Sequence, residues 1–205
     1  MKFPKPTAVL SAATSSRAGR LTLAAVPVGI VAAVLLGGVA QGAVPVSFAV
    51  SGSQFQIGAS QLEGTGFSQY AGVATDTEGV EHTVAIANIK SAELSDLCQS
   101  VITETPLGTV GILIKAGGDG EPATASDLQI GMTGLRGDAS FGGIRIGVDA
   151  STVNTEAKGA AGDFAQDSDT ISISNLQQTA WSTQASVFTL KGMSLELTDG
   201  SQGCF

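Results

Sequence analysis

The chain has 205 residues, with ten Lys plus Arg against eighteen Asp plus Glu, so its formal net charge is -8 and its pI is about 4.4. This acidic balance excludes a nucleic-acid binder, because such proteins need a basic face that displaces counterions from phosphates. Its 27 glycines without a three-residue period, 5% aromatic and 14% charged residues favour turn-rich β architecture over a helical bundle or a collagen.

The N-terminal segment has the pattern of a membrane-targeting sequence. Residues 1–20 carry no acidic side chain and four basic ones: Lys2, Lys5, Arg17 and Arg20. The uncharged residues 21–40 that follow span roughly 30 Å as a helix, the thickness of a bilayer core, with the basic flank on the cytoplasmic side. We predict a cytoplasmic flank over 1–20 and a hydrophobic helix over 21–42, as an uncleaved signal-anchor or a cleaved signal peptide. A buried helix of a cytosolic protein is the remaining alternative.

Residues 43–205 form the part that we expect on the outer side of the membrane. They contain six basic and all eighteen acidic side chains, a net charge of -12, and are long enough for one domain with its own core. Anionic lipid headgroups repel such a surface, so the N-terminal helix is the expected membrane attachment. We predict a domain that is either anchored to the membrane or secreted.

The chain contains two cysteines, Cys98 and Cys204. An even count in an exported chain favours a disulfide, which would also fix the C-terminal end of the chain. Two unrelated buried thiols are the alternative. A catalytic thiol has less support, because no motif connects the single histidine of the chain with either cysteine.

Apolar and polar residues alternate in short segments after Pro45, as expected for strands with one face in a core. The clearest alternations lie at residues 55–57, 84–86, 112–114, 128–132, 144–148, 171–173 and 193–197. Turn-forming residues separate them, at 64–66, 117–120, 142–143, 159–163 and 199–200. The sequence therefore predicts an all-β domain.

Two pairs of similar strings occur in the same order and suggest an internal duplication with halves that meet near residue 120. IGASQLEG at 57–64 matches IGMTGLRG at 130–137, and VAIANIKS at 84–91 matches ISISNLQQ at 171–178. Asn88 and Asn175 occupy matching positions, where we expect a strand to end and the chain to bend, as in solenoid turns. A β-solenoid or β-helix is the first predicted architecture and a two-sheet β-sandwich the second, since both use these residues.

The sequence lacks the residues that an enzyme of a common class would need, so we predict no catalytic residue and no cofactor. No G-x-S-x-G motif occurs, and His82, the only available base, stands beside Glu81 where a solvent-facing turn residue is expected. One histidine and two distant cysteines cannot form a usual zinc site. The acidic residues at 119–121 and 163–169 could offer oxygen ligands to calcium, but we interpret them as solvated turns and predict no metal site.

Tyr70 and Trp181 are each the single residue of their kind, and we consider them candidates for a ligand-binding face. The alternative for Trp181 is a core position, which is usual for a lone tryptophan in a small β domain. A channel lined by small and aliphatic strand residues could hold a lipid tail.

Several strings together carry a family resemblance: SFAVSG, LEGTGFSQYAGV, LCQSV, GDASFGGIRIG, LQQTAWSTQASVFTL and the terminal CF. They resemble a family of exported actinobacterial proteins of unknown function that is common in streptomycetes, and the resemblance covers nearly the whole chain. It implies a cell-envelope or secreted protein in which Cys98 pairs with Cys204. Some members carry the label cholesterol esterase, but neither a nucleophilic serine motif nor a suitable histidine can be carried over to this sequence.

We therefore expect a non-enzymatic exported protein of the cell envelope that acts as a structural or binding module. A lipid-ester hydrolase is the alternative from another functional class, and a carrier of an apolar ligand is the third. The expected partners are the membrane, through the N-terminal helix, and an envelope protein or a lipid, but no nucleic acid.

Overall fold

The computed structural model describes residues 49–106 and 108–205, and the structural statements below concern these residues. The predicted cytoplasmic flank and hydrophobic helix, residues 1–42, lie outside the described residues. Within the described ranges, no helix has the length and apolar character needed to cross a membrane.

The described residues form ten strands in one sheet, with one 3₁₀ turn at Ala150–Thr152. The strands are β1 (Ala49–Val50), β2 (Phe55–Asp76), β3 (Glu81–Ser95), β4 (Leu97–Thr105), β5 (Gly108–Ala116), β6 (Ala123–Gly142), β7 (Arg145–Asp149), β8 (Phe164–Gln184), β9 (Val187–Thr189) and β10 (Ser194–Thr198). The all-β prediction is confirmed.

Four long strands close the sheet into a small barrel. β2 pairs with β3, β3 with β6, β6 with β8, and β8 returns to β2, and each pairing is antiparallel. Two segments of β2 take part in the closure, and the first of them also pairs with β4. Its first residues, Phe55–Ala59, pair with β8, whereas the segment from Gln61 to Thr75 pairs with β3.

Both predicted architectures, the solenoid and the two-sheet sandwich, are therefore wrong. A solenoid stacks parallel strands in successive coils, whereas consecutive long strands here run antiparallel and the sheet returns to its starting strand. The two asparagines also do not end strands. Asn88 is buried within β3, while Asn175 adopts φ +54° within β8, near the register shift between Arg136 and Asp138, so β8 continues through an irregularity.

The predicted turn at residues 64–66 is also wrong, because it lies in the middle of β2. A Cβ atom at Gly64 would stand 2.7 Å from Cγ2 of Ile89 and 3.0 Å from Cγ2 of Ile171. Glycine is therefore needed at this position for close packing across the interior. The predicted boundary near residue 120 falls in the connection between β5 and β6, and the duplication itself stays a prediction.

A second group of strands extends the barrel in the order β2, β4, β5, β10. Register fixes which side chains share a face, since directly paired residues point to the same side of an antiparallel sheet. Leu197 of β10 pairs with Ile112 of β5, which pairs with Val101 of β4, which pairs with Phe55 of β2. This face is the continuation of the barrel interior onto the outer strands, and we call it the open face.

The buried apolar residues form two clusters, one on each face of the sheet. The larger one fills the barrel with aliphatic side chains and Phe67 from β2, β3, β6 and β8. The smaller one lies on the opposite, outer face of β2 and β3, because its residues alternate along β3 with those of the larger cluster. It contains Tyr70, Ala74, Val84, Ile86, Ala150, Val153 and Ala165, with Val148 and Trp181 packed against it. Ala150 belongs to the 3₁₀ turn, at the start of which the Asp149 carboxylate accepts a hydrogen bond from the Ser151 amide.

Candidate functional site

Cys98 and Cys204 form a disulfide, as predicted, with their Cα atoms 5.7 Å apart. The bond holds the end of the chain against the face of β2 and β4 that lies opposite the open face. There the Cys204 amide donates hydrogen bonds to Oε1 of Gln56, at 3.1 Å, and to Oγ of Ser100, at 3.2 Å. The C-terminal segment is therefore a covalently attached part of the fold.

The two predicted ligand-face residues, Tyr70 and Trp181, come together in the smaller core cluster. Tyr70 is buried, and its hydroxyl group makes no hydrogen bond of ordinary geometry. Burial raises the pKa of Tyr70, and the neighbouring Asn88 side chain opposes this shift. Tyr70 therefore packs as a core residue, while Trp181 stays half-buried and accessible in part. Their role as a ligand face stays a prediction.

His82 is not the solvent-facing turn residue that its neighbours in sequence predict. Its ring stacks on Trp181 with centroids 3.8 Å apart, and its Nε2 atom lies 2.9 Å from Oδ2 of Asp76. Asp76 is fixed in turn, since its Oδ1 accepts hydrogen bonds from the amides of Glu78 and Val80 in the β2–β3 turn. The hydrogen bond from His82 is the main cause that lowers the pKa of Asp76.

This arrangement supplies two groups of a hydrolytic triad, a histidine and an orienting carboxylate. A triad also needs a serine whose hydroxyl lies within hydrogen-bond reach of the imidazole. Among the described residues, no serine hydroxyl forms a hydrogen bond with His82. The Asp76–His82 pair therefore links β2 and β3 at their turn, and the His82 ring covers one face of the Trp181 indole. No serine hydroxyl of the described residues is hydrogen-bonded to this pair.

The stack predicts a change in the fluorescence of Trp181, which is the single tryptophan of the chain. We expect His82→Ala to shift the emission maximum to longer wavelength and to increase quenching by acrylamide, because one face of the indole becomes exposed to water. The control is His82→Phe, which keeps an aromatic ring on the indole and should leave both values close to those of the wild type. Equal spectra for His82→Ala and the wild type would contradict the stack.

The predicted oxygen-rich segment at 163–169 contains one buried carboxylate, Asp167, which forms an ion pair with the exposed Arg145. Asp167 is 0% exposed and accepts hydrogen bonds from Nε of Arg145, at 2.8 Å, from Nη2 of Arg145, at 2.5 Å, and from the Asn154 amide, at 2.7 Å. The hydrogen bonds from Arg145 are the main cause that lowers the pKa of Asp167. In the part of the chain that the structure describes, no three His, Cys, Asp or Glu side chains are grouped to hold a metal ion.

The lowered pKa of Asp167 predicts a pH dependence of stability. The ionised carboxylate stabilises the fold above its unfolded pKa of about 4, and this contribution disappears as pH falls through the lower pKa of the folded state. We therefore expect the free energy of unfolding to fall more steeply below about pH 4 in the wild type than in Asp167→Asn. Urea unfolding of both proteins at pH 7 and pH 3 measures the difference, and parallel pH profiles would contradict it.

A small cavity of about 20 Å³, room for about one water molecule, lies inside the barrel beside β4 and β9. Its lining is aliphatic apart from Gln99, Gln178, Thr183 and Phe188. Nε2 of Gln178 and Oγ1 of Thr183 are buried and have no hydrogen-bond partner. Buried polar atoms of folded proteins are nearly always paired, so a bound water molecule is the expected partner of these two atoms in a cavity of this size.

The cavity lies on the same side of the sheet as the open face, because Gln99 lines the cavity and pairs with Ile114 in β5. Apolar side chains on this face remain in contact with water. Leu197 is 72% exposed, Leu195 56% and Ile112 37%, and Phe188 at the cavity is 38% exposed. The structure thus combines an exposed apolar face with a cavity that contains unpaired polar atoms.

Residues 51–205 match the model of a protein family described as Family of unknown function (DUF6230). The chain belongs to this family. The matched residues include both cysteines, the whole barrel and the open face, so the DUF6230 domain coincides with the fold described above. No curated protein and no solved structure matches the chain.

The sequence suggests an apolar channel but not which residues line it, and one signal in β8 marks the small cavity of the DUF6230 domain. Leu176, Gln178 and Ala180 alternate on the inward face of β8, so a glutamine stands between two fully buried apolar residues. A polar side chain on the apolar face of a strand indicates a hydrogen-bonding role in the interior. Trp181, the predicted ligand-face residue, follows directly in the sequence.

Proposed function

We propose that this protein is a non-enzymatic, exported binding module of the cell envelope, which offers the open face to a partner or ligand outside the membrane. The exposed apolar surface of Ile112, Leu195 and Leu197 is the observation that carries this proposal. Contiguous apolar surface is unusual on soluble monomers and marks an interaction site. The actinobacterial origin that the family resemblance implies belongs to the same proposal.

Two further observations support export. The Cys98–Cys204 disulfide is of the kind that persists in oxidising compartments. The basic segment followed by an uncharged apolar run at the N-terminus is the pattern of a signal-anchor or signal peptide. Fractionation of the producing cells should therefore place the protein in the envelope or the medium, and a purely cytoplasmic protein with reduced cysteines would refute export.

Binding of an apolar fluorescent dye tests the open face. We expect the folded wild type to bind anilinonaphthalene sulfonate, and the double variant Leu195→Gln/Leu197→Gln to lose most of this binding, because both side chains lie on the open face. Ile146→Gln is the matched control, since Ile146 is 67% exposed but lies on β7. Absence of dye binding by the wild type, or an equal loss in the control, would overturn the proposal.

A lipid-ester hydrolase is the second candidate function, and the Asp76–His82 pair is the observation that favours it. A fluorophosphonate probe separates the two candidates, since it labels only a serine that a neighbouring base activates. We expect no labelled serine in the wild type. If a serine is labelled in the wild type but not in His82→Ala, the protein is a hydrolase and the proposal of a binding module is refuted.

A further inference from the structure

We propose that the open face lies against the outer lipid surface of the membrane, and that its aliphatic side chains contact the lipid acyl chains. This inference rests on the proposed function and deepens it, because it names the partner of the open face as the lipid layer itself. A second copy of the chain is the alternative occupant, and one experiment separates the two.

The first argument is the distribution of charge on the outer strands. β4, β5 and β10 contain three charged side chains, those of Glu104, Lys115 and Glu196. Each of them alternates with open-face residues along its strand, so it points to the opposite side of the sheet. The open-face positions of these three strands are therefore uncharged, although residues 43–205 carry a net charge of -12. Such a face can approach anionic headgroups that repel the rest of the domain.

The second argument is the apolar surface that this face leaves in water. Val110, Ile112, Leu195 and Leu197 lie on it, and each of them is exposed. β10, which contains both leucines, is the last strand in the order of the sheet, so they lie at its rim. Moving aliphatic side chains from water into hydrocarbon is favourable roughly in proportion to the area that leaves water. Contact with a lipid layer therefore stabilises this face.

A second exposed apolar pair, Ile146 and Phe164, differs from the open face because it includes a charge. Asp149 pairs with Phe164 and so lies on the same side of the sheet. The Asp149 carboxylate accepts hydrogen bonds from the hydroxyl and the amide of Ser151 and from the amide of Gly162. The bond from the Ser151 hydroxyl is the main cause that lowers the pKa of Asp149, so this side of the sheet is charged at neutral pH. A charge opposes contact with lipid, and we assign the contact to the open face.

The third argument is the place where the N-terminal segment joins the domain. Residues 43–54 connect the predicted hydrophobic helix with Phe55, the first residue of β2, and Phe55 lies on the open face. A connection of this length extends over at most about 45 Å. The open face therefore stays within this distance of the membrane that the helix is predicted to enter. Such a tether raises the effective concentration of lipid at the face, so weak contact is sufficient.

Fluorescence quenching by brominated lipids tests the contact, with the full-length chain in phosphatidylcholine vesicles. Leu197→Trp in a Trp181→Phe background places the single indole of the chain on the open face, and the phenylalanine keeps an aromatic ring against His82. We expect phosphatidylcholine with brominated acyl chains to quench this indole, because bromine acts only at contact distance. The matched control is Ile146→Trp in the same background, at a position that is almost equally exposed. Its emission should not change.

Two further variants show whether the apolar side chains cause the contact. Ile112→Gln/Leu195→Gln, combined with Leu197→Trp, should lose most of the quenching, because two polar side chains weaken the transfer of the face into lipid. The altered side chains are exposed, so the thermal midpoints should stay close to that of Trp181→Phe alone. Misfolding is thereby distinguished from loss of contact.

Two results would overturn the lipid contact, and both differ from failure of the binding module. Equal quenching of Leu197→Trp and Ile146→Trp would mean that the open face has no preferred contact with lipid. Absence of quenching in Leu197→Trp would exclude lipid as the partner, and an emission that then changes with protein concentration would assign the face to a second copy. In both cases, dye binding at Leu195 and Leu197 would still support the open face as a binding surface. Loss of dye binding as well would refute the proposed function itself.

Discussion

Replacing both cysteines, in Cys98→Ala/Cys204→Ala, is expected to lower the thermal midpoint by roughly 10–20 °C, the largest effect of any change considered. The disulfide joins residues with a sequence separation of 106. In the chain-entropy account, a loop of this length stabilises the fold by about 4–5 kcal/mol, because the cross-link restricts the unfolded chain. Differential scanning calorimetry of the oxidised wild type and the double variant measures the difference.

Reduced wild-type protein is the control for this prediction. Its midpoint should agree with that of the double variant, because both lack the cross-link and both keep the contacts of the Cys204 amide with Gln56 and Ser100. If the double variant instead unfolds within about 3 °C of the oxidised wild type, the cross-link does not stabilise this domain.

The second large effect is expected at the Arg145–Asp167 pair, where the two partners should respond differently to removal. Asp167 is 0% exposed, whereas the side chain of Arg145 is 54% exposed. Arg145→Met leaves a buried carboxylate without its charged partner, which destabilises the fold. Asp167→Asn leaves a guanidinium that can turn to water. We therefore expect Arg145→Met to destabilise the protein more than Asp167→Asn.

A double-mutant cycle in urea checks this order. The double variant Arg145→Met/Asp167→Asn should be more stable than Arg145→Met alone, since it no longer contains an unpaired buried charge. The opposite order of the two single variants would mean that the Asp167 carboxylate reaches water when Arg145 is removed.

The strands could be predicted because alternation is a local property of the sequence. Residues 84–86 and 171–173, for example, lie in β3 and β8 as their patterns indicate. Closure of the barrel could not be predicted, since it depends on the pairing of Phe55–Ala59 with β8, which is far away in sequence. The turn predicted at Gly64 was wrong for a related reason. A glycine that is needed for close packing against Ile89 and Ile171 has the same local sequence signal as a glycine in a turn.

The candidate site shows the same division between local and long-range information. The cysteine pair could be inferred because the chain contains only two cysteines. The stack of His82 on Trp181 could not be predicted, because it depends on β3 and β8 lying close together in the fold. The neighbours of His82 in the sequence suggested an exposed histidine instead. The unpaired atom of Gln178 becomes visible only when every nearby acceptor is known.

Because β2 pairs with both β3 and β8, its pairings can form only in a certain order as the chain is synthesised. β2 and β3 can form a hairpin early, but Phe55–Ala59 must wait for β8, and Cys98 must wait for Cys204. Until then the first segment of β2 presents an unpaired strand edge to other chains. Such long-range pairing slows folding and prolongs exposure to aggregation.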